Sequence, residues 1–115
     1  MQLTASAPQG LTTQPRIWLN GRLYDEPHQA TVAAIDHGLV VGDGVFETLK
    51  VTKRGAFAVR RHLARLSRSA AALGLSPPDH GEIREAIEAI LEGRDFPHGK
   101  LRITYTGGPG PLGSD

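Results

Sequence analysis

Cysteine is absent from the 115 residues, which excludes a disulfide framework and any thiolate metal site and leans towards a reducing compartment. Net charge is nearly absent too: at +1, the chain has no field strong enough to draw nucleic acid or a membrane surface. No apolar run approaches the ~20 residues that span a bilayer. Residues 1–15 lack both the basic and the apolar region of a secretory signal. The expectation is a cytoplasmic globular chain, with neither nucleic acid nor membrane as partner. Its length suits one domain with a modest core.

What is present begins weakly. Met1 to Pro15 is Thr, Gln, Ser, Ala and Pro with little to bury, and reads as a disordered lead-in. Arg16–Leu19 and Arg22–Tyr24 then flank Asn20-Gly21, whose tolerance of positive φ predicts a type I′ hairpin. Ala30 to Ile35 reads as a short extended piece. Val45 to Thr52 alternates, with Val45, Glu47, Leu49 and Val51 on one side and Phe46, Thr48, Lys50 and Thr52 on the other. A turn at Lys53-Arg54-Gly55 leads to a returning strand over 56–59. Leu63, Leu66, Ala70 and Leu73 follow at helical spacing, with Gly74 placed to end the helix. Ser76 or Asp79 can cap a second helix built on Ile83, Ile87, Ile90 and Leu91. Lys100 to Thr106 alternates again, and Gly107 to Asp115 is a Gly/Pro loop. The order is strands, two helices, strand, an α+β pattern, and it reads as the front part of something longer.

Among motifs, Gly108, Gly110 and Gly113 match Gly-x-Gly-x-x-Gly, but a dinucleotide cradle needs a following helix and free backbone donors. Pro109 and Pro111 remove two donors, so a plain loop is the better reading. His28, His37, His62, His80 and His98 have no metal-helix spacing, and no metal is expected. Arg60, Arg61, Arg65 and Arg68 read first as a solvated basic stripe. Arg65 stands apart: Leu63 and Leu66 fix the helix against the sheet and leave it half-sunk near the edge, where a guanidinium fork suits phosphate. The oddest stretch is Asp36 to Leu49, where Asp43 sits between two glycines that let backbone fold tightly or approach a ligand, and can cap local amides.

Asn20-Gly21, Asp36-His37-Gly38, Gly42-Asp43-Gly44-Val45-Phe46-Glu47-Thr48 and His62-Leu63-Ala64-Arg65-Leu66, in this order and spacing, resemble the class IV aminotransferase family, the fold-type IV pyridoxal-phosphate enzymes. The resemblance runs from about Arg16 to Asp115. It implies the small N-terminal domain of that fold over residues 16–115, an antiparallel-rich sheet with two helices on one side. It implies pyridoxal 5'-phosphate as cofactor, with Arg65 on its phosphate and Phe46, Thr48 and Arg102 in the substrate pocket. It also implies a homodimer. The family's Schiff-base lysine lies in a second domain, and Lys50, Lys53 and Lys100 do not match it, so no catalytic residue is expected in this chain. By itself the chain is expected to be inactive. Two positions depart from the pattern: Gly107 stands where D-amino acid aminotransferases carry an arginine, and His37 replaces the arginine of a common Asp-Arg-Gly. The Gly107-Gly108-Pro109-Gly110 loop and the Phe46-Glu47-Thr48 run lean towards 4-amino-4-deoxychorismate lyase, which forms 4-aminobenzoate and pyruvate. Branched-chain or D-amino acid aminotransferase is the alternative. From another class, a non-catalytic binding or assembly module fits the missing lysine.

Overall fold

In a computed structural model, residues 1–7, 14–93 and 98–110 are described. Six strands form one antiparallel sheet: β1 (Gln2–Ser6), β2 (Arg16–Leu19), β3 (Arg22–Tyr24), β4 (Gly44–Thr52), β5 (Gly55–Ala56) and β6 (Gly99–Thr106). Their spatial order is β3-β2-β1-β6-β4-β5. A one-turn helix α1 (His37–Val40) precedes β4, and α2 (Val59–Ala72) and α3 (His80–Leu91) separate β5 from β6.

Local chemistry explains most boundaries. Asn20 and Gly21 take φ of 47° and 92°, which closes the β2–β3 hairpin with the expected primed turn. Gly74 at φ 73° ends α2. Asp79 caps α3 by accepting from the Glu82 amide at 3.1 Å. Ser76 does no capping there, and its carbonyl accepts from the Tyr105 hydroxyl instead. Arg16 reaches across from β2 to the other end of α3, where its Nη1 donates to the Glu92 carbonyl at 2.7 Å and to those of Ala89 and Ile90. A cation there satisfies carbonyls that the helix leaves without partners.

The core lies on one face of the sheet, beneath α2 and α3. Leu3, Leu49, Leu63, Leu66, Ile83, Ile90, Leu101 and Ile103 are fully buried in it. Paired residues share a face, and the register sets Leu3 beside Ile103 and Ile103 beside Glu47, so one row crosses three strands. The antiparallel sheet with helices on one side is the expected architecture.

Three expectations differ from the structure. Residues 2–6 are no lead-in: they form β1, between β2 and β6, with Leu3 and Ala5 fully buried. Two apolar side chains suffice because neighbours on both sides supply the hydrogen bonds and the remaining apolar surface. Residues 8–13 and 111–115, with Gly113 of the glycine pattern, lie outside the described residues. Ala30 to Ile35 is not a strand; a 3₁₀ turn at Pro27–Gln29 precedes it. The return strand stops at Ala56, because Ala58 adopts a left-handed φ of 58° and starts α2 at Val59.

Candidate functional site

The alternation of β4 divides its side chains as the sequence suggests: Glu47, Leu49 and Val51 are buried towards the helices, while Phe46, Thr48 and Lys50 are exposed on the open face. β5 pairs with β4 only at Val51 and Thr52. Over Gly44 to Leu49 the outer edge of β4 therefore has no neighbouring strand among the described residues.

On the open face lies a cleft of about 410 Å³, floored by β4 and β6 and walled by the segment around α1. Phe46 and Arg102 meet in it, the guanidinium carbon 3.9 Å from the ring centroid. That distance is a cation–π contact, and it holds a flexible cation at a fixed point of the wall. Thr48 pairs in register with Arg102 on the same face but is not among the residues lining the cleft. No lysine lines it either.

Arg65 is elsewhere. It sits on the helix side of β4, bound to Glu47, so the sheet lies between it and Phe46, Thr48 and Arg102. It is not half-sunk, since 58 % of its side chain is exposed. Its order comes from Glu47 rather than from burial. Arg65 Nε donates to both carboxylate oxygens at 3.0 Å, and Nη2 lies 2.9 Å from Oε1. His62 Nδ1 approaches the same Oε1 at 2.7 Å. His62 and Arg65 stand three residues apart on α2, hence on one helix face. Leu63 and Leu66 beside them are fully buried and fix that face against β4.

Glu47 is thus a carboxylate in the core with two basic partners. Burial alone would raise its pKa, but the hydrogen bonds from Arg65 and His62, and the charges behind them, outweigh burial and hold it below its ordinary 4.5. The carboxylate in turn raises the pKa of Arg65. A carboxyl whose pKa is lower folded than unfolded adds stability that is present above about 4.5 and lost as pH falls through the folded value. The urea midpoint of wild type should therefore approach that of Glu47→Gln as pH drops below that point. Midpoints that stay parallel from neutral to acid pH would show that the ionisation of Glu47 adds nothing to stability.

The segment around Asp43 is fastened to the loop after β6. The His37 amide donates to the Gly108 carbonyl at 2.8 Å, Gly107 N to Asp43 O at 3.0 Å and Gly110 N to Ile35 O at 3.3 Å. The amide cap expected of Asp43 belongs to Asp36, whose Oδ1 accepts from Gly38 N at 2.8 Å. Asp43 turns its carboxylate towards His37 Nδ1, 3.6 Å away. The His37 ring is buried under Gly110, where a Cβ would come within 2.7 Å of Nε2. The ring therefore needs a residue without a side chain at position 110.

Sequence reasoning named Arg65, Phe46, Thr48 and Arg102 but gave Glu47 and His62 no role. The signal was available: alternation put a carboxylate on the core face, and a buried carboxylate needs a partner.

A match to the family model for amino-transferase class IV covers residues 44–115. Over 103 residues the chain is 37 % identical to a protein of Methanocaldococcus jannaschii provisionally named a branched-chain-amino-acid aminotransferase, covering 87 % of this chain and 35 % of that one. Over 95 residues it is 36 % identical to the bifunctional aminodeoxychorismate lyase / D-amino acid transaminase of Mycobacterium tuberculosis, covering 80 % and 32 %. Among solved structures, the PLP-bound form of a hypothetical aminotransferase from Mycobacterium tuberculosis matches with a TM-score of 0.68 and 34 % identity, over 84 % of this chain and 34 % of that one. The chain spans about a third of the length of these relatives. A family match over more than half of the chain, coinciding with the strand and helix that build the site, places this protein in the class IV aminotransferase family.

Proposed function

We propose that this chain forms one wall of a pyridoxal-phosphate site, in a protein that acts as a lyase or an aminotransferase on a small amino acid or an aminodeoxychorismate-like substrate. The observation that carries this is Arg65, an exposed guanidinium held in place through Nε and Nη2. Its Nη1 has no partner among the described residues. Such an edge suits a phosphate, which accepts two parallel N–H bonds.

The residues present fit the phosphate end of the cofactor and not its attachment. Lys50 and Lys100 are exposed, Lys53 is in a turn, and none lines the cleft. Bound pyridoxal phosphate supplies an electron sink for bonds broken beside a substrate amine. The chain's own groups bind and orient: Arg65 takes the phosphate, Arg102 faces the cleft as a cation for a substrate carboxylate, and Phe46 holds Arg102 and shapes the wall. Thr48 offers a hydroxyl on the same face. The lysine that holds the cofactor would belong to the part of the relatives that this chain does not cover. Within the family we favour 4-amino-4-deoxychorismate lyase chemistry, on the loop and the Phe46-Glu47-Thr48 run, over branched-chain or D-amino acid transamination. A homodimer belongs to the same reading and rests on family membership, and a cytoplasmic setting rests on the cysteine-free composition. The lysine-free cleft favours one rival, a binding or assembly module without catalysis.

Pyridoxine 5'-phosphate and pyridoxine, which lack the aldehyde and so form no lysine adducts, provide the test. Titrations followed by ¹⁵N NMR should show a preference for the phosphorylated compound, with shifts at Arg65. Arg65→Ala should reduce that preference by about ten- to a hundredfold, the worth of charge-assisted hydrogen bonds. A wild type that binds both compounds alike would remove Arg65 from the site.

A further inference from the structure

We infer that Glu47 is a positioning residue: it grips Arg65 side-on and so aims the remaining edge of the guanidinium at the phosphate that Arg65 is proposed to bind. The inference rests on that reading of Arg65 and adds what makes the arginine competent.

An arginine with 58 % of its side chain exposed has little packing to fix its long stem, and an unheld stem must be ordered whenever a ligand binds. Glu47 removes that cost in advance. The carboxylate projects from a strand rather than a loop, and it is itself almost wholly buried. The row below it, Ile103 and Leu3, is fully buried, and His62 holds Oε1 from the same helix face as Arg65. Both oxygens meet Nε, and Oε1 also meets Nη2. Through this fork the orientation of the guanidinium plane follows the strand, while Nη1 remains for a ligand.

A carboxylate beside a guanidinium also cancels part of its charge. If charge alone decided phosphate affinity, removing the carboxylate would tighten binding. Positioning requires the reverse, so the sign of the effect decides between them.

The experiment compares pyridoxine 5'-phosphate with pyridoxine on the 115-residue chain and its Glu47→Gln, Glu47→Asp and Arg65→Ala variants. In Glu47→Gln the preference for the phosphorylated compound should fall about three- to tenfold, the scale of ordering one long side chain. Glu47→Asp, one methylene shorter, should fall in the same direction and serves if the Gln variant does not fold. A second readout needs no ligand: the Arg65 Nε–H signal should exchange slowly with water in wild type and quickly in both Glu47 variants. An unchanged or increased preference in a folded Glu47 variant, beside a loss in Arg65→Ala, overturns the positioning role and leaves the phosphate reading standing. No preference in wild type overturns both.

Discussion

Deleting residues 1–6 is expected to abolish cooperative unfolding of the chain, leaving a protein without a urea or thermal transition and without dispersed amide resonances. β1 bonds to β2 on one side and β6 on the other, so its loss removes two ladders and splits the sheet between them. Leu3 is fully buried against the core, and truncating one such leucine costs roughly 2–5 kcal/mol. Ala5 is fully buried as well, and the Met1 amino group bonds Asn20 Oδ1 at 2.7 Å across the β2–β3 turn. Against a total stability of about 5–15 kcal/mol for a domain, the sum leaves no margin. A truncated chain that melts at the wild-type midpoint would show that β1 is dispensable.

The second large effect is expected where the turn before β4 meets the end of β6. A Cβ on Gly38 would run into Thr106 Cγ2, with Thr106 Cβ at 3.0 Å and Asp36 Oδ1 at 3.1 Å behind it. Gly38→Ala should therefore cost about 1–3 kcal/mol as an overpacked contact. Thr106→Ser removes the methyl but keeps the hydroxyl that accepts from Gly108 N at 3.1 Å. The double variant should recover most of the lost urea midpoint. Additive losses would mean that the strain lies elsewhere. Because Gly38 and Thr106 both line the cleft, the Gly38→Ala protein should also show shifted Phe46 and Arg102 resonances.

What the sequence discloses divides by distance along the chain. The Asn20-Gly21 turn, the Gly74 stop and the Asp79 cap are legible because each is decided by neighbours a few residues away. The faces of β4 are legible because period two is a local pattern. β1 is not legible: its apolar content is two residues set among Gln, Thr and Ser, and its place depends on strands near positions 17 and 103. The grip of Glu47 on Arg65 spans 18 residues and a change from strand to helix, so spacing alone does not show it. Arg65 itself is found through the resemblance of its motif. From burial it is misjudged, because its fixed position comes from a hydrogen-bonded partner and not from packing. His37 is the opposite case. It departs from the common motif, and its burial beneath Gly110 is a contact that spacing alone does not show.

β4 carries alternate residues to two chemically distinct environments, and this shapes how the site can change. Substitutions at positions 46 and 48 alter the open face and leave the core face alone, while position 47 faces the helix and the core. Selection, or an engineer, can therefore vary the open face without disturbing the grip of Glu47 on Arg65. An inserted or deleted residue within the strand has no such freedom. It would turn Phe46 and Glu47 to each other's sides together, burying an aromatic where a carboxylate is gripped and leaving the carboxylate in the cleft. The strand is tolerant of substitution and intolerant of changes in length.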